Sequence, residues 1–341
     1  MSQPIRFGVI GTSGHGNRVA APNIVANPAA QLIGGVGTSL ERSQAFAKAH
    51  GAKKSYESVD QMLADPDIDA VWICSPNSRH GADVIRAVQA AKHVLVEKPL
   101  GLAAAEAAEA AKAAAAAGRI LRVGYQHRYR PSHRYIKDLI ETGHIGKLGY
   151  VRLHRFWLYP YYPDMPAEPP AWRQDPAISG GFIINDLGSH LIDMAQWFGG
   201  SHGRFIGAAM GSQKFDFRTE DSVAVMMGLG DAVIGLVEAS NSNVSPGSRF
   251  EFYGSKGWIR AEDTLALDAS STVTTHDGIV REFEQLDHLV PYGLQVGDFI
   301  EAIRGNPSFG ATGEDGAANA GIIEAARSHG ARLQREGFTA R

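Results

Sequence analysis

The sequence predicts an α/β protein of two domains: a doubly wound parallel sheet over residues 1–125, then an α+β domain over residues 126–341. Three observations predict it. Short apolar runs alternate with helical patterns through the first third of the chain, the signature of βαβ units and of a parallel sheet buried on both faces. After about residue 145 the strand-like runs follow one another through short Gly-containing turns, without long helices between them, which describes a second, largely antiparallel sheet. A length of 341 residues suits two domains of ~100–200 residues each. The closing helical patterns are free to return to the first domain.

In order, Ile5–Ile10 reads as a buried strand, followed by a Gly-rich turn and a helix. Gln31–Gly37 is a second strand and Leu40–His50 a helix stopped by Gly51. Ala70–Cys74 is a third strand, with a helix from about His80 to Ala91, and His93–Val96 is a fourth. Ala103–Ala117 is a strong helix by propensity, closed by Gly118, whose small side chains allow close approach to the sheet. Ile120–Val123 is the fifth strand. In the second domain Val151–Trp157, Ser222–Met227, Val233–Ser240, Arg249–Tyr253 and Trp258–Ala261 read as strands. Gly228-Leu229-Gly230-Asp231 and Gly254-Ser255-Lys256-Gly257 make hairpin turns between them. Helical patterns near Val296–Arg304 and Asp315–Arg335 close the chain.

Lys and Arg number 33 against 36 Asp and Glu, a net charge of −3, so nothing argues for nucleic acid or an anionic membrane as partner. No apolar run reaches the ~18 residues of a membrane span. Met1-Ser2-Gln3-Pro4 leads into the first strand without the pattern of a secretory leader, so the expected location is cytoplasmic. The one cysteine, Cys74, excludes an internal disulfide and fits a reducing compartment.

Gly11-Thr12-Ser13-Gly14-His15-Gly16 sits between the first strand and its helix. A Rossmann dinucleotide-binding turn has G-x-G-x-x-G at this point. The first glycine makes the tight turn, the last lets the helix sit close to the strand, and the helix start offers N–H groups to a pyrophosphate. Ser13 replaces the middle glycine; it adds a hydroxyl donor but narrows the approach. A structural turn without a ligand shares this local pattern. After the second strand, NAD sites place a carboxylate on the ribose. Here the residues are Gly37-Thr38-Ser39-Leu40-Glu41-Arg42, with no acid at the strand end. Thr38, Ser39 and Arg42 suit the 2′-phosphate of NADP(H). NAD(H) stays open through Glu41, with Arg42 then a solvated helix residue.

The fourth strand ends in Glu97-Lys98-Pro99 and the third in Ser75-Pro76-Asn77, with His80 three residues on. Ligands of open α/β sheets bind beyond the carboxyl ends of the strands, where both segments lie. A lysine there can donate a proton to a carbonyl being reduced or take one from an alcohol being oxidised. Burial beside a cationic ring would lower its pKa.

With these segments, Trp172-Arg173, Gly180-Gly181 and Asp186-Leu187-Gly188-Ser189-His190-Leu191-Ile192-Asp193 follow in order, as do Gly124-Tyr125-Gln126-His127-Arg128-Tyr129 and Thr312-Gly313-Glu314-Asp315-Gly316. Together they resemble the glucose-fructose oxidoreductase / inositol dehydrogenase / MocA (Gfo/Idh/MocA) oxidoreductase family over nearly the whole chain. The resemblance implies a Rossmann domain followed by an α/β domain with an open sheet, nicotinamide cofactors, and sugar, inositol or polyol substrates. It implies that Lys98 and His190 meet at the substrate, with Asp186 orienting the histidine or holding a hydroxyl. It also implies a cis Lys98–Pro99 bond. If the Asp186–His190 stretch is helical, the two side chains share a face. Glu97 and Gln126 join the cofactor residues. A metal on His190 and Asp186 would lack a third ligand at suitable spacing, so none is expected.

A sugar site wants aromatic faces and polar groups. The segment His154–Pro163 is rich in both, and Tyr125, Arg128, Tyr162, Trp172 and Arg173 are the candidate substrate contacts. Equally, these aromatics could pack the sheet or a subunit interface. The expected function is NADP(H)-preferring hydride transfer to or from a sugar, polyol or related carbonyl compound. Two alternatives compete: a cofactor-retaining glycosidase with a transient redox step, and a non-catalytic cofactor-binding regulator. One face of an open sheet needs cover, which points to a homodimer or homotetramer.

Overall fold

The computed structural model describes residues 3–160, 167–215, 219–244, 247–265 and 269–335. The chain divides into two compact units, with divisions between Gln126 and His127, between Asp287 and His288, and between Ala317 and Ala318. The first unit thus takes residues 288–317 along with the N-terminal part.

Its strands are β1 (Ile5–Ile10), β2 (Ala30–Val36), β3 (Lys54–Tyr56), β4 (Ala70–Ile73), β5 (His93–Val96) and β6 (Leu121–Val123). They form one parallel sheet in the order β3-β2-β1-β4-β5-β6. The order reverses direction at β1, where successive connections pass to opposite sides, and this makes the crevice at the strand ends. The central strands are apolar because helices cover both faces: Phe7, Val9, Trp72 and Leu95 are fully buried. The helix Leu40–His50 begins where the Ser39 hydroxyl accepts the Arg42 N–H, and ends at Gly51 in the left-handed conformation. In the helix Ala104–Ala116, Ala107, Ala110, Ala111 and Ala114 are buried at helical spacing, so alanine forms the whole packing face. The helix Val290–Ile303 completes this unit's core with Val296, Phe299 and Ile300; Phe299 lies 6.0 Å from Phe7 between ring centroids. Two elements escape the sequence reading: β3, and the helix Val59–Leu63 capped by Ser58. A three-residue edge strand is too short to show any periodicity.

The second unit holds β7 (Leu148–Phe156), β8 (Gly203–Gly211), β9 (Ser222–Leu229), β10 (Val233–Ser240), β11 (Ser248–Gly254), β12 (Trp258–Glu262), β13 (Ser271–Thr275) and β14 (Val280–Phe283). Among the described residues they form one sheet, β14-β13-β12-β11-β7-β10-β9-β8, antiparallel except where β7 meets β10. Side chains alternate along β7, β9 and β11 between buried and open. The buried face packs on the helices Pro131–Glu141 and Ser189–Gly199 and on the later turns of Gly313–Arg335, through Ile136, Leu191, Ile192, Phe198, Ile322 and Ile323. The other face leaves Ile206, Met226, Ile234 and Tyr253 exposed, among charge pairs such as Arg152–Glu238. Both hairpin turns stand as read, joining β9 to β10 and β11 to β12. The sequence reading lacks β8, β13, β14 and the helix Pro131–Glu141. β8 is Gly- and Ala-rich and reads weakly as a strand. The helix was legible in principle, with Pro131 in its first turn and Ile136, Leu139 and Ile140 on one face.

Candidate functional site

The glycine-rich turn has steric requirements at both ends. Gly11 sits at φ +96°, and a Cβ there would stand 2.5 Å from the Cys74 carbonyl oxygen. A Cβ on Gly16 would stand 1.8 Å from the Gly11 oxygen. Between them Ser13 and Gly14 are exposed, and a Cβ on Gly14 would meet nothing within 4 Å. The open approach that a middle glycine would provide therefore lies one residue later. Thr12 is buried against Gly37, where a Cβ would come within 2.3 Å of the Thr12 Oγ1 and 3.2 Å of the Arg42 Cβ. Turn, strand end and Arg42 thus converge. The Ser43 hydroxyl accepts the Gly37 N–H at 2.9 Å. Thr38, Ser39, Glu41 and Arg42 are exposed, with the Ser39 hydroxyl engaged in the helix cap.

Beside the turn, Glu97 is the hub of a polar network. Its Oε1 accepts the Trp72 Nε1–H at 3.1 Å and lies 3.0 Å from His15 Nε2. Burial works against its ionisation, but His15, the neighbouring Lys98 and the Trp72 N–H together hold the carboxyl below its ordinary range. The His15 ring packs edge-on against Tyr292, 5.2 Å between centroids, and the Tyr292 hydroxyl accepts the Gln126 Nε2–H at 2.9 Å. Gly124 leaves room for the Glu97 carboxylate, since a Cβ there would lie 3.0 Å from Oε1. Lys98 follows at the same sheet edge, half-buried, and its bond to Pro99 is cis.

The sequence reading places His80 among the cofactor contacts; in the structure its ring lies between two loops. The ring is 1% exposed, with Nδ1 2.7 Å from the Pro99 oxygen and Nε2 2.7 Å from the Ser75 oxygen. His80 thus clamps the loop after β4 to the loop after β5. Ser75 is likewise engaged, its hydroxyl donating to Asp83 at 2.8 Å. Pro76 is exposed and Asn77 half-buried at the start of a short turn.

In the second unit a wide π-type turn, Ile184–Gly188, runs into the helix Ser189–Gly199. Asp186 lies on the wide turn and His190 on the helix, so the simple i, i+4 face is altered. Asp186 Oδ2 pairs with Arg173 at 2.7 Å, and the Arg173 guanidinium lies 4.8 Å from the centre of the half-exposed Trp172 ring. The geometry therefore groups Trp172, Arg173 and Asp186. His190 is 8% exposed, its ring 4.6 Å from that of His127. The guanidinium of Arg128, read as a substrate contact, is buried in a bidentate pair with Asp193, at 3.0 and 2.5 Å. Tyr125 is also buried. Of the aromatic segment, Tyr159 packs into a cluster with Phe182 and Phe215. Tyr162 lies outside the described residues.

Sequence reasoning missed Tyr292, Asp193 and Glu220. Only Asp193 had a local signal, as the last residue of the quoted histidine motif. Glu220 accepts the Ile184 N–H at 3.0 Å and so holds the start of the helical stretch that carries Asp186 and His190. Burial pushes its carboxyl up to about 7 from the ordinary 4.5, against the Ile184 N–H and Arg327, which favour the charge. A raised folded-state value means folding takes up a proton, so this stability is full below the unfolded value and lost as pH rises through the folded one. Glu220→Gln keeps the acceptor oxygen and removes the titration. It is expected to gain ~1–3 kcal/mol over wild type on going from about pH 4.5 to about pH 8. Urea unfolding at both pH values checks this, and an unchanged difference would refute it.

Two family models match the chain: "Oxidoreductase family, NAD-binding Rossmann fold" over residues 5–125 and "GFO/IDH/MocA C-terminal domain" over residues 133–260. The chain is 29% identical to the 1,5-anhydro-D-fructose reductase of Ensifer adhaerens, over 91% of this chain and 92% of that one. It is 27% identical to the inositol 2-dehydrogenase of Rhizobium meliloti (strain 1021), over 94% and 96%. Its fold matches that of a 3-ketoreductase from Actinomadura kijaniata, solved with NADP and TDP-benzene, at a TM-score of 0.80 and 23% identity over 96% of this chain and 98% of that one. The parallel sheet with its glycine turn and the eight-stranded sheet behind the histidine motif thus have one explanation: the chain belongs to the GFO/IDH/MocA family of oxidoreductases, built on an NAD-binding Rossmann domain.

Proposed function

We propose that the protein is an NADP(H)-preferring dehydrogenase or reductase acting on a CH–OH group, or the matching carbonyl, of a sugar, polyol or related compound. The observation that carries this reading is the placement of Lys98 at the carboxyl end of β5, at the same sheet edge as the Gly11–Gly16 turn. The residues present fit a nicotinamide dinucleotide. Gly14 opens on free space, and Gln126 Oε1 is a buried acceptor with no hydrogen-bond partner among the described residues. Gly11, Thr12, Ser13, Gly14 and Gly16 would hold the pyrophosphate; Thr38, Ser39 and Arg42 the ribose end; His15, Ser75, Pro76, Asn77, Glu97 and Gln126 the nicotinamide end. The bound dinucleotide supplies the hydride or takes it up.

The chain's own residues handle the proton. Lys98 donates it to the oxygen of a carbonyl as that carbon gains hydride, or removes it from a hydroxyl as the carbon loses hydride. Ionised Glu97 beside it favours the charged ammonium from which donation starts. His190 shares or relays the proton, and Asp186, oriented by Arg173, holds a substrate hydroxyl or the histidine. Trp172 offers its half-exposed face to C–H surfaces. Sugar and polyol substrates are supported by the names of the relatives. The exposed face of the eight-stranded sheet supports a homodimer or homotetramer built through it.

Cofactor choice is testable directly. Fluorescence titration is expected to show tighter binding of NADPH than of NADH. Arg42→Ala is expected to weaken NADPH about 10- to 100-fold while leaving NADH nearly unchanged, as loss of a charged hydrogen-bond donor requires. Tighter binding of NADH by wild type, or an Arg42→Ala protein with an unaltered preference, would reverse the NADP(H) assignment.

A further inference from the structure

We propose that His144, His276 and Asp277 form a site for a divalent metal ion of the zinc class, apart from every residue assigned above. Their ligand atoms all lie within 4.8 Å of one another. His144 follows the helix Pro131–Glu141 and precedes β7; His276 and Asp277 form the turn between β13 and β14. The two segments, distant in sequence, meet at one end of the sheet, each joined by a backbone hydrogen bond to the β11–β12 hairpin. Lys256 N–H donates to the Ile145 oxygen at 2.9 Å, and His276 N–H to the Trp258 oxygen at 3.0 Å.

The donors are held rather than merely near. His144 Nε2 is itself buried and makes no hydrogen bond among the described residues, facing Asp277 Oδ1 at 3.5 Å. The rings of His144 and His276 are 5.5 Å apart between centroids. The Thr275 hydroxyl donates to Asp277 Oδ1, the kind of outer hydrogen bond that orients a ligating carboxylate. Gly257 makes room for the His276 ring, since a Cβ there would stand 2.1 Å from its Nδ1. Backbone is pinned on both sides: His144 N–H donates to the Leu139 oxygen at 3.0 Å and Gly278 N–H to the Thr275 oxygen at 3.1 Å.

Two imidazoles and one carboxylate suit Zn²⁺, Co²⁺ or Ni²⁺, whereas Mg²⁺ and Ca²⁺ want oxygen ligands throughout. Metal–ligand bonds of ~2.0–2.2 Å require the ligand atoms to close by only about 1 Å through side-chain rotation. Three protein ligands leave a coordination position for water. The ion would clip the β13–β14 hairpin, which includes the edge strand, to the loop leading into β7.

The test uses the full-length, tag-free protein after chelator treatment. Co²⁺ is titrated and its visible d–d absorption read, and Zn²⁺ affinity is measured by competition with a chromophoric chelator. Expected are saturation at one Co²⁺ per chain and a rise in Tm with Zn²⁺. His144→Gln and His276→Asn should each weaken Zn²⁺ binding at least tenfold and abolish that rise. Thr275→Val should weaken binding about 10-fold through the carboxylate it orients. His276 and Asp277 are exposed, so His276→Asn should melt like metal-free wild type. Failure of wild type to take up Co²⁺ at a hundredfold excess overturns the site. So does binding that survives in the His144→Gln, His276→Asn double variant.

Discussion

Replacing Lys98 by alanine is expected to lower kcat by about 10²–10⁴-fold, the usual contribution of a positioned proton donor. The cofactor dissociation constant should change little. The loss follows from what surrounds the side chain. Lys98 has Glu97 on one side, fixed by Trp72 and His15, and Pro99 on the other, its carbonyl fixed by His80. Lys98→Arg keeps the charge but cannot release a proton near neutral pH, so it should be nearly as impaired as the alanine variant. The measurement is steady-state kinetics with a reactive sugar or polyol, over a range of pH, beside direct cofactor binding. A variant that retains more than a tenth of wild-type kcat, with an unshifted pH profile, removes Lys98 from the chemistry. A variant that loses cofactor binding as well would instead mark Lys98 as a cofactor contact.

The second large effect is on stability. Asp193→Ala is expected to destabilise the second unit by about 3–5 kcal/mol, because it leaves the Arg128 guanidinium buried without its carboxylate. Side-chain exposures of 6% and 1% show how little water reaches the pair. At ~2–4 °C per kcal/mol for a domain of this size, the calorimetric Tm should fall by roughly 10 °C. Arg128→Met combined with Asp193→Leu should recover most of the loss, since both charges then leave the interior together. A Tm within about 2 °C of wild type would show that the pair is not the stabilising contact its geometry describes. Normal stability with a raised KM would return Arg128 to the substrate contacts proposed from the sequence.

Much of the first sheet was legible because its signals are local. The strands Ile5–Ile10 and His93–Val96 end in apolar, buried runs, Phe7–Ile10 and Val94–Val96, since parallel strands are buried on both faces, and Gly11 marks the end of the first. Gly11 and Gly16 could be named because only a residue without a Cβ fits against the Cys74 and Gly11 carbonyls. Where the signal was weak, the reading failed. The Gly- and Ala-rich β8 and the short β3 escaped, because neither carries enough branched or alternating side chains to register.

The site was legible in outline only. The order of Glu97-Lys98-Pro99 and the Asp186–His190 motif pointed to the family, and the family models bear that out. The partners of those residues were not readable. Tyr292 reaches Gln126 across 166 positions, and Asp193 reaches Arg128 across 65. His80 looked available for a ligand until both ring nitrogens were found against backbone oxygens.

The sequence by itself determined the two sheet classes, the glycine turn, the absence of an acid at the end of β2 and the family. Each rests on residue type at short spacing, where a missing Cβ, a cap or a period of two or 3.6 acts within a few residues. Only the tertiary structure decided which polar side chains are consumed by one another and which remain to act. Pairing between distant groups depends on packing and burial, and a buried charge or ring nitrogen must be satisfied by whatever the fold brings within about 3 Å.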